Sequence, residues 1–217
     1  MNKKTALMIL LSLLTVSGCV IYTQQEPMTS FYYFNEKADL DDIGKVVLVE
    51  LTNNSTNPTI SSTMTETIYQ ALQKKQLFSI SIMNKDDIEW ERMQIDDITS
   101  YNYQKLAKIR KSLKCDAILF GTITEYHPYP HMTMGLRLKM INVKDGQLVW
   151  AVEDIWDTSD NKTEYRIERY FNLNSRSDLA PLHKELMTVS PIKFQKFVAY
   201  EVAQTLNNNE MKYSSLY

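Results

Sequence analysis

Cysteine is scarce in this 217-residue chain, which has only Cys19 and Cys115. Two thiols cannot build a disulfide scaffold or a four-thiolate zinc or iron–sulfur site. Glycine (5) and proline (6) are too few for a fibrous or low-complexity protein. No charge of one sign dominates, since 24 Lys and Arg against 26 Asp and Glu give a formal −2. That balance lacks the basic footprint that nucleic acid binding requires. Histidine is limited to His127, His131 and His183. The glycine-rich phosphate loops, the GxSxG nucleophile turn and the HExxH zinc helix are all missing. What remains is ordinary globular material, 44% hydrophobic and able to form a core.

The chain opens MNKKTALMILLSLLTVSGC. Lys3 and Lys4 precede an apolar run from Ala6 to Val16, and small residues Ser17 and Gly18 follow. That order is the order of a secretory signal peptide. The run is about 11 residues, or about 16 Å of helix, against a hydrocarbon core of about 30 Å, so it is too short to span a bilayer. Val16-Ser17-Gly18-Cys19 resembles the lipobox of bacterial lipoproteins. The resemblance implies that the Cys19 thiol is acylated and becomes the first mature residue. Each buried CH₂ then contributes roughly 0.8 kcal/mol of membrane affinity. By the same resemblance Val20, which is not Asp, permits sorting to an outer membrane. Without residues 1–18 the chain carries 22 basic and 26 acidic residues, a formal −4. The acyl chains, not attraction to anionic lipid, must therefore hold it.

Residues 19–44 read as the anchor and tether, and Phe31-Tyr32-Tyr33-Phe34 within them as aromatics that lie down on the domain or dock a partner. The domain is expected over 45–207 and a flexible tail over 208–217. Lys45–Leu51 is a β-branched run and a buried strand. Pro58 then opens a helix over 59–75, where Ile60, Met64, Ile68 and Leu72 form one stripe. Residues 77–82 alternate as a half-buried strand, and 84–98 are acidic and irregular. Thr99 or Ser100 caps a second helix with Leu106, Ile109 and Leu113 on its apolar face. Residues 117–125 form a long strand. In the next, Met132, Met134, Leu136, Leu138 and Met140 oppose Arg137 and Lys139. Asp145-Gly146 signals a hairpin, after which Leu148, Trp150 and Val152 point inward. A short helix and a loop fit 157–189, and Ser190-Pro191 caps a last helix with Phe194, Val198, Val202 and Leu206 on one stripe. The order β-α-β-α-β-β-β-α predicts an α/β (α+β) fold, a mixed sheet in two or three layers.

Chemistry-bearing groups are thinly spread. His127 and His131 flank Pro128-Tyr129-Pro130, and those prolines forbid the helix that would pair them on one face. Tyr126 and Tyr129 read as a rigid aromatic knob suited to binding. Glu153 and Asp154 are neighbours on a strand and point to opposite faces. Cys115, at the entry to an apolar strand, reads as a buried structural thiol.

Lys114 to Tyr126 resembles the strand of the curli secretion channel family. Val143-Lys144-Asp145-Gly146-Gln147-Leu148-Val149-Trp150 resembles that family's following turn. Similar strings occur in an uncharacterised lipoprotein group from planctomycete-type bacteria. The resemblance implies a periplasmic domain of that fold. A channel is not expected, because about six residues separate the strands at Glu125 and Met132, while a membrane strand needs about 9–11. The family's soluble relatives include an outer-membrane lipoprotein that activates a cell-wall synthase, which is the better analogy. The expected function is a non-enzymatic, lipid-anchored envelope factor without cofactor, facing the periplasm from the outer membrane. It would bind another envelope protein or a second copy of itself, in secretion or cell-wall machinery. The alternatives are a ring-forming secretion subunit and a metal- or ligand-binding enzyme using Glu125, His127 and His131.

Overall fold

The computed structural model describes residues 31–88, 103–174 and 190–206. Cys19, the 1–18 segment, the cap at Thr99 or Ser100, His183 and the 208–217 tail lie outside the described residues. Strands β1 (Tyr32–Phe34), β2 (Lys45–Val49), β3 (Thr52–Asn53), β4 (Ser79–Met83), β5 (Ala117–His127), β6 (Thr133–Asn142) and β7 (Leu148–Asp157) form one sheet. Helices α1 (Ile60–Lys75), α2 (Tyr103–Leu113), α3 (Asn161–Asn174) and α4 (Pro191–Gln204) complete the described elements. The strand order is β1-β7-β6-β5-β2-β4, with β3 pairing β5. β2 lies parallel to both β4 and β5, while β5, β6 and β7 run antiparallel. The α/β reading therefore holds, with β1, the two-residue β3 and a full 14-residue α3 added to the predicted order.

Alternation along β2 sorts the two faces of the sheet. Val46 and Leu48 belong to the main core with α1 and α4, and Val47 and Val49 to a smaller cluster with Ile109 of α2. The molecule is thus three-layered, α1 and α4 on one face and α2 on the other. Asp116 joins the inner strands at one end. Its Oδ2 accepts from the Gly44 and Lys45 amides, both at 3.1 Å, and its carbonyl accepts from Val143 at 2.9 Å. Cys115 beside it is buried, and that burial pushes its thiol pKa up.

Local differences have physical causes. The aromatic run lies on the domain: Phe34 is buried and β1 pairs antiparallel with β7. Leu40 and Ile43 are also buried, so packed structure begins before residue 45. Pro58 sits in the turn ahead of α1, which begins at Ile60. The 143–147 connection is a five-residue loop and not a two-residue hairpin, with Gly146 at φ 73. Ser190 makes no side-chain cap, although Pro191 does occupy the first turn of α4 as read. Leu148 was expected inward with Trp150. A register shift between Met140 and Ile141 leaves Val149 and Trp150 both in the main core and turns Leu148 to the α2 side.

The main core is closed by two tryptophans of β7, both fully buried. A buried indole N–H needs an acceptor. Trp150 Nε1 donates to Thr205 Oγ1 at 3.0 Å, and Trp156 Nε1 donates to Glu201 Oε2 at 2.5 Å. Arg166 of α3 lies 3.5 Å from Glu201 Oε2 and 3.4 Å from Asp154 Oδ2. Glu201 is 1% exposed. Burial pushes its carboxyl pKa up to about 7, and Arg166 and Trp156 only partly oppose that rise. The folded chain therefore holds this proton up to about pH 7, whereas the unfolded chain releases it near its ordinary value of 4.5. Between those values the folded state binds more protons, so this group's contribution to stability falls as pH rises. The loss amounts to roughly 3 kcal/mol once pH exceeds the folded value. Chemical denaturation of wild type and Glu201→Gln from pH 4.5 to 8 should show the difference shifting toward the variant up to about pH 7 and then levelling. A pH-independent difference would contradict this account.

Candidate functional site

Among the described residues, the side of the sheet that carries α2 is only partly covered. α2 packs where Ile118, Ile141 and Leu148 meet, and β1, β7, β6 and β5 extend beyond it. The register lays the uncovered side chains in rows across the strands. One row is Ile155, Gly135 and Glu125, and the next is Glu153, Arg137 and Thr122. A third is Tyr33, Ala151, Lys139 and Phe120. Phe31 extends β1 beside Glu153, whose amide donates to the Phe31 carbonyl at 2.9 Å. Three large apolar side chains stand out to solvent here: Phe31 is 68% exposed, Tyr33 49% and Ile155 57%. Arg137 Nη2 meets Glu153 Oε1 at 2.5 Å between them. The hydrogen bond from Arg137 holds the Glu153 carboxyl below the usual carboxylate range and raises the guanidinium in turn. A depression of 620 Å³ runs along Phe31, Thr124, Arg137, Glu153 and Ile155. Apolar anchors around a fixed ion pair suit recognition of a protein surface.

The row at Gly135 exists because of a bulge. β5 shifts register between Ile123 and Glu125, which places Thr124 over Gly135. A Cβ on Gly135 would collide with Thr124 Oγ1. The same bulge decides Tyr126. Strict alternation from Ile123 would send it outward, but the extra residue returns it to the core face opposite Met134. Tyr126 is buried and accepts from Gln195 Nε2 at 3.3 Å, so it does not form an exposed knob with Tyr129. Tyr129 itself is 67% exposed, on the loop beyond β5. Tyr32 lies on the core side of β1, level with Val152, and is part-exposed at the sheet edge. His127 Nε2 lies 3.2 Å from Glu125 Oε1 on the exposed end of β5. Among the described residues no group of three metal-ligating side chains forms. Glu153 and Asp154 diverge as read, Glu153 outward to Arg137 and Asp154 inward to Arg166. Sequence reasoning set Arg137 on the polar side of β6 and separated Glu153 from Asp154, but missed Ile155 and the pairing of Arg137 with Glu153 beside it. Ile155, the large hydrophobic side chain of β7 that stands exposed, was the available signal.

The open face defines a binding domain. A sequence model of the family described as peptidoglycan-synthase activator LpoB matches residues 23–154, and the chain belongs to that family. As a member of that family it is a non-enzymatic protein of the cell envelope, facing the periplasm from the outer membrane, that binds another envelope protein. No curated protein sequence matches the chain. Similar solved structures include the PelC dodecamer from Paraburkholderia phytofirmans, at 14% identity over 61% of this chain and 85% of that one, with a TM-score of 0.41. Lipoprotein GNA1162 from Neisseria meningitidis matches at 16% identity over 66% and 94%, with a TM-score of 0.40. The LpoB C-terminal domain from Escherichia coli matches at 18% identity over 54% and 86%, with a TM-score of 0.37.

These findings overturn the resemblance to the curli secretion channel and to the planctomycete-type lipoproteins. An apolar strand followed by an Asp-Gly turn and a tryptophan records the β5–β6–β7 meander, not the family that uses it. The ring-forming alternative falls with that resemblance. The enzyme alternative falls with membership of a non-enzymatic family.

Gly135→Ala should lower stability by about 1–3 kcal/mol, the usual range for forced overpacking. Thr124→Gly in the same chain should recover part of that loss in thermal or urea unfolding, because it removes the colliding hydroxyl.

Proposed function

We propose that this protein is anchored in the outer membrane through an acylated Cys19 and stimulates a peptidoglycan synthase by docking it on the open sheet face. The family match over residues 23–154 carries the reading. Residues 1–18 serve as signal peptide, 19–30 as tether, and 31–206 as one α/β domain. Phe31, Tyr33 and Ile155 are the apolar anchors, with Arg137 and Glu153 setting orientation between them. Tyr32 and Tyr129 stand at the rim. The roughly 12 residues from Cys19 to Phe31 reach at most about 40 Å when fully extended. The synthase must therefore come within that distance of the anchoring leaflet.

The test combines purified protein with a peptidoglycan synthase from the same cells. Wild type should raise the rate of glycan polymerisation or crosslinking and co-purify with the enzyme. Ile155→Asp with Phe31→Ser should weaken capture at least tenfold and leave the melting temperature unchanged, since both side chains are exposed. Cys19→Ser should move the protein from the membrane to the soluble fraction. Failure of wild type to stimulate any such synthase would sink the functional reading. Equal capture by the double variant would move the contact off this face.

A further inference from the structure

A second cavity, of 320 Å³, lies on the opposite side of the molecule, where α1, α3 and α4 meet. Its charged lining is of one sign: Lys74 and Lys75 from the last turn of α1, and Lys196 from α4. Gln70, Tyr170 and Tyr200 supply neutral polar and aromatic wall, and no carboxylate among the described residues lines it. The chain as a whole is slightly acidic, so this local surplus is not its average surface. A helix C-terminus attracts cations, which accounts for Lys74 and Lys75. It does not account for Lys196, which stands in the second turn of a different helix.

The three ammonium groups are differently held. Lys75 Nζ donates to Gln204 Oε1 at 2.7 Å, which fixes it at the cavity wall. Lys74 and Lys196 are exposed and make no ion pair among the described residues. The Tyr170 and Tyr200 rings are packed together, with centroids 4.7 Å apart, and give the site a rigid floor. The volume is at the small end of the range of small-ligand sites, about 300–1,000 Å³. Cations converging on a walled cavity raise the local concentration of anions.

We propose that this cavity binds a small ligand through an oxyanion group, phosphate or carboxylate, set between Lys74, Lys75 and Lys196. The site is separate from the open sheet face, and its occupation does not depend on the synthase. The cations come from two helices and flank a preformed hollow, so an anion placed there meets them without rearrangement of the fold.

The experiment is an NMR titration of the purified protein at low ionic strength, with pyrophosphate as the phosphate probe and citrate as the carboxylate probe. Saturable shifts should appear at the amides of Lys74, Lys75, Lys196 and Tyr200 with at least one probe, and the responding probe names the chemistry. Lys74→Glu with Lys196→Glu should weaken binding at least tenfold, and Lys74→Gln with Lys196→Gln should weaken it less. Lys144→Glu, in a basic patch elsewhere, should leave it unchanged. All variants should keep the wild-type circular dichroism and melting temperature. The absence of saturable shifts at these residues with both probes overturns the proposal, as does unchanged binding by the Glu double variant. Neither result bears on synthase stimulation, which is read without these probes.

Discussion

The requirement that two buried indole N–H groups find acceptors organises the domain. An unpartnered buried donor costs about 1–3 kcal/mol, and β7 brings two such groups into the main core. Among the described residues the last helix and its C-terminal cap satisfy both, with Glu201 and Thr205. That demand sets how α4 lies on the sheet. It also draws a carboxyl into a site where it is nearly inaccessible, and Arg166 follows to balance it, shared with Asp154. Oε1 of Glu201 still lacks a hydrogen-bond partner among the described residues. The polar chain therefore specifies the packing at some expense in stability.

With the core side committed to α1 and α4, the other side of the sheet is free to do something else. Among the described residues one short helix covers it, and the antiparallel half extends past that helix. Alternation then presents Arg137, Glu153 and Ile155 outward, while their strand neighbours Leu136, Leu138, Val152 and Trp156 seal the core. The bulge at Thr124 fits against the bare Cα of Gly135, and the cross-strand rows continue on either side of it. The working face is thus a by-product of strand periodicity on a sheet dressed unevenly, and membership of a family of non-enzymatic envelope binders fits such a surface.

Most elements were legible because each carried its own period. The i, i+4 stripe of Ile60, Met64, Ile68 and Leu72, the alternation of Met134 through Met140, and the stripe from Phe194 to Val202 all fall where they were read. The errors cluster where one extra residue changes the parity of a strand. Tyr126 and Leu148 both lie beside such a shift, and nothing local distinguishes a bulged strand from a regular one. The edge position of β1 was hidden for a different reason, since four consecutive aromatics fit a docking patch as well as a strand. The lysine-lined hollow was illegible because its cations come from helices more than a hundred residues apart. The family was misread because strand hydrophobicity and turn chemistry report topology, which several envelope families share.

β1 is also where the described domain begins, and it enters at the rim of the sheet. Its ladder to β7 includes the bond from the Asn35 amide to the Val149 carbonyl at 2.9 Å, and Asn35 Nδ2 adds another to Leu148. Antiparallel bonds stand perpendicular to the strands. Tension arriving along the backbone ahead of Phe31 would run along that strand and be shared across these bonds in shear. It would not peel them open singly. Phe34, seated in the core, acts as a stop behind them. The strand that presents Phe31 and Tyr33 is therefore also the mechanical coupling of the domain to whatever holds its N-terminus.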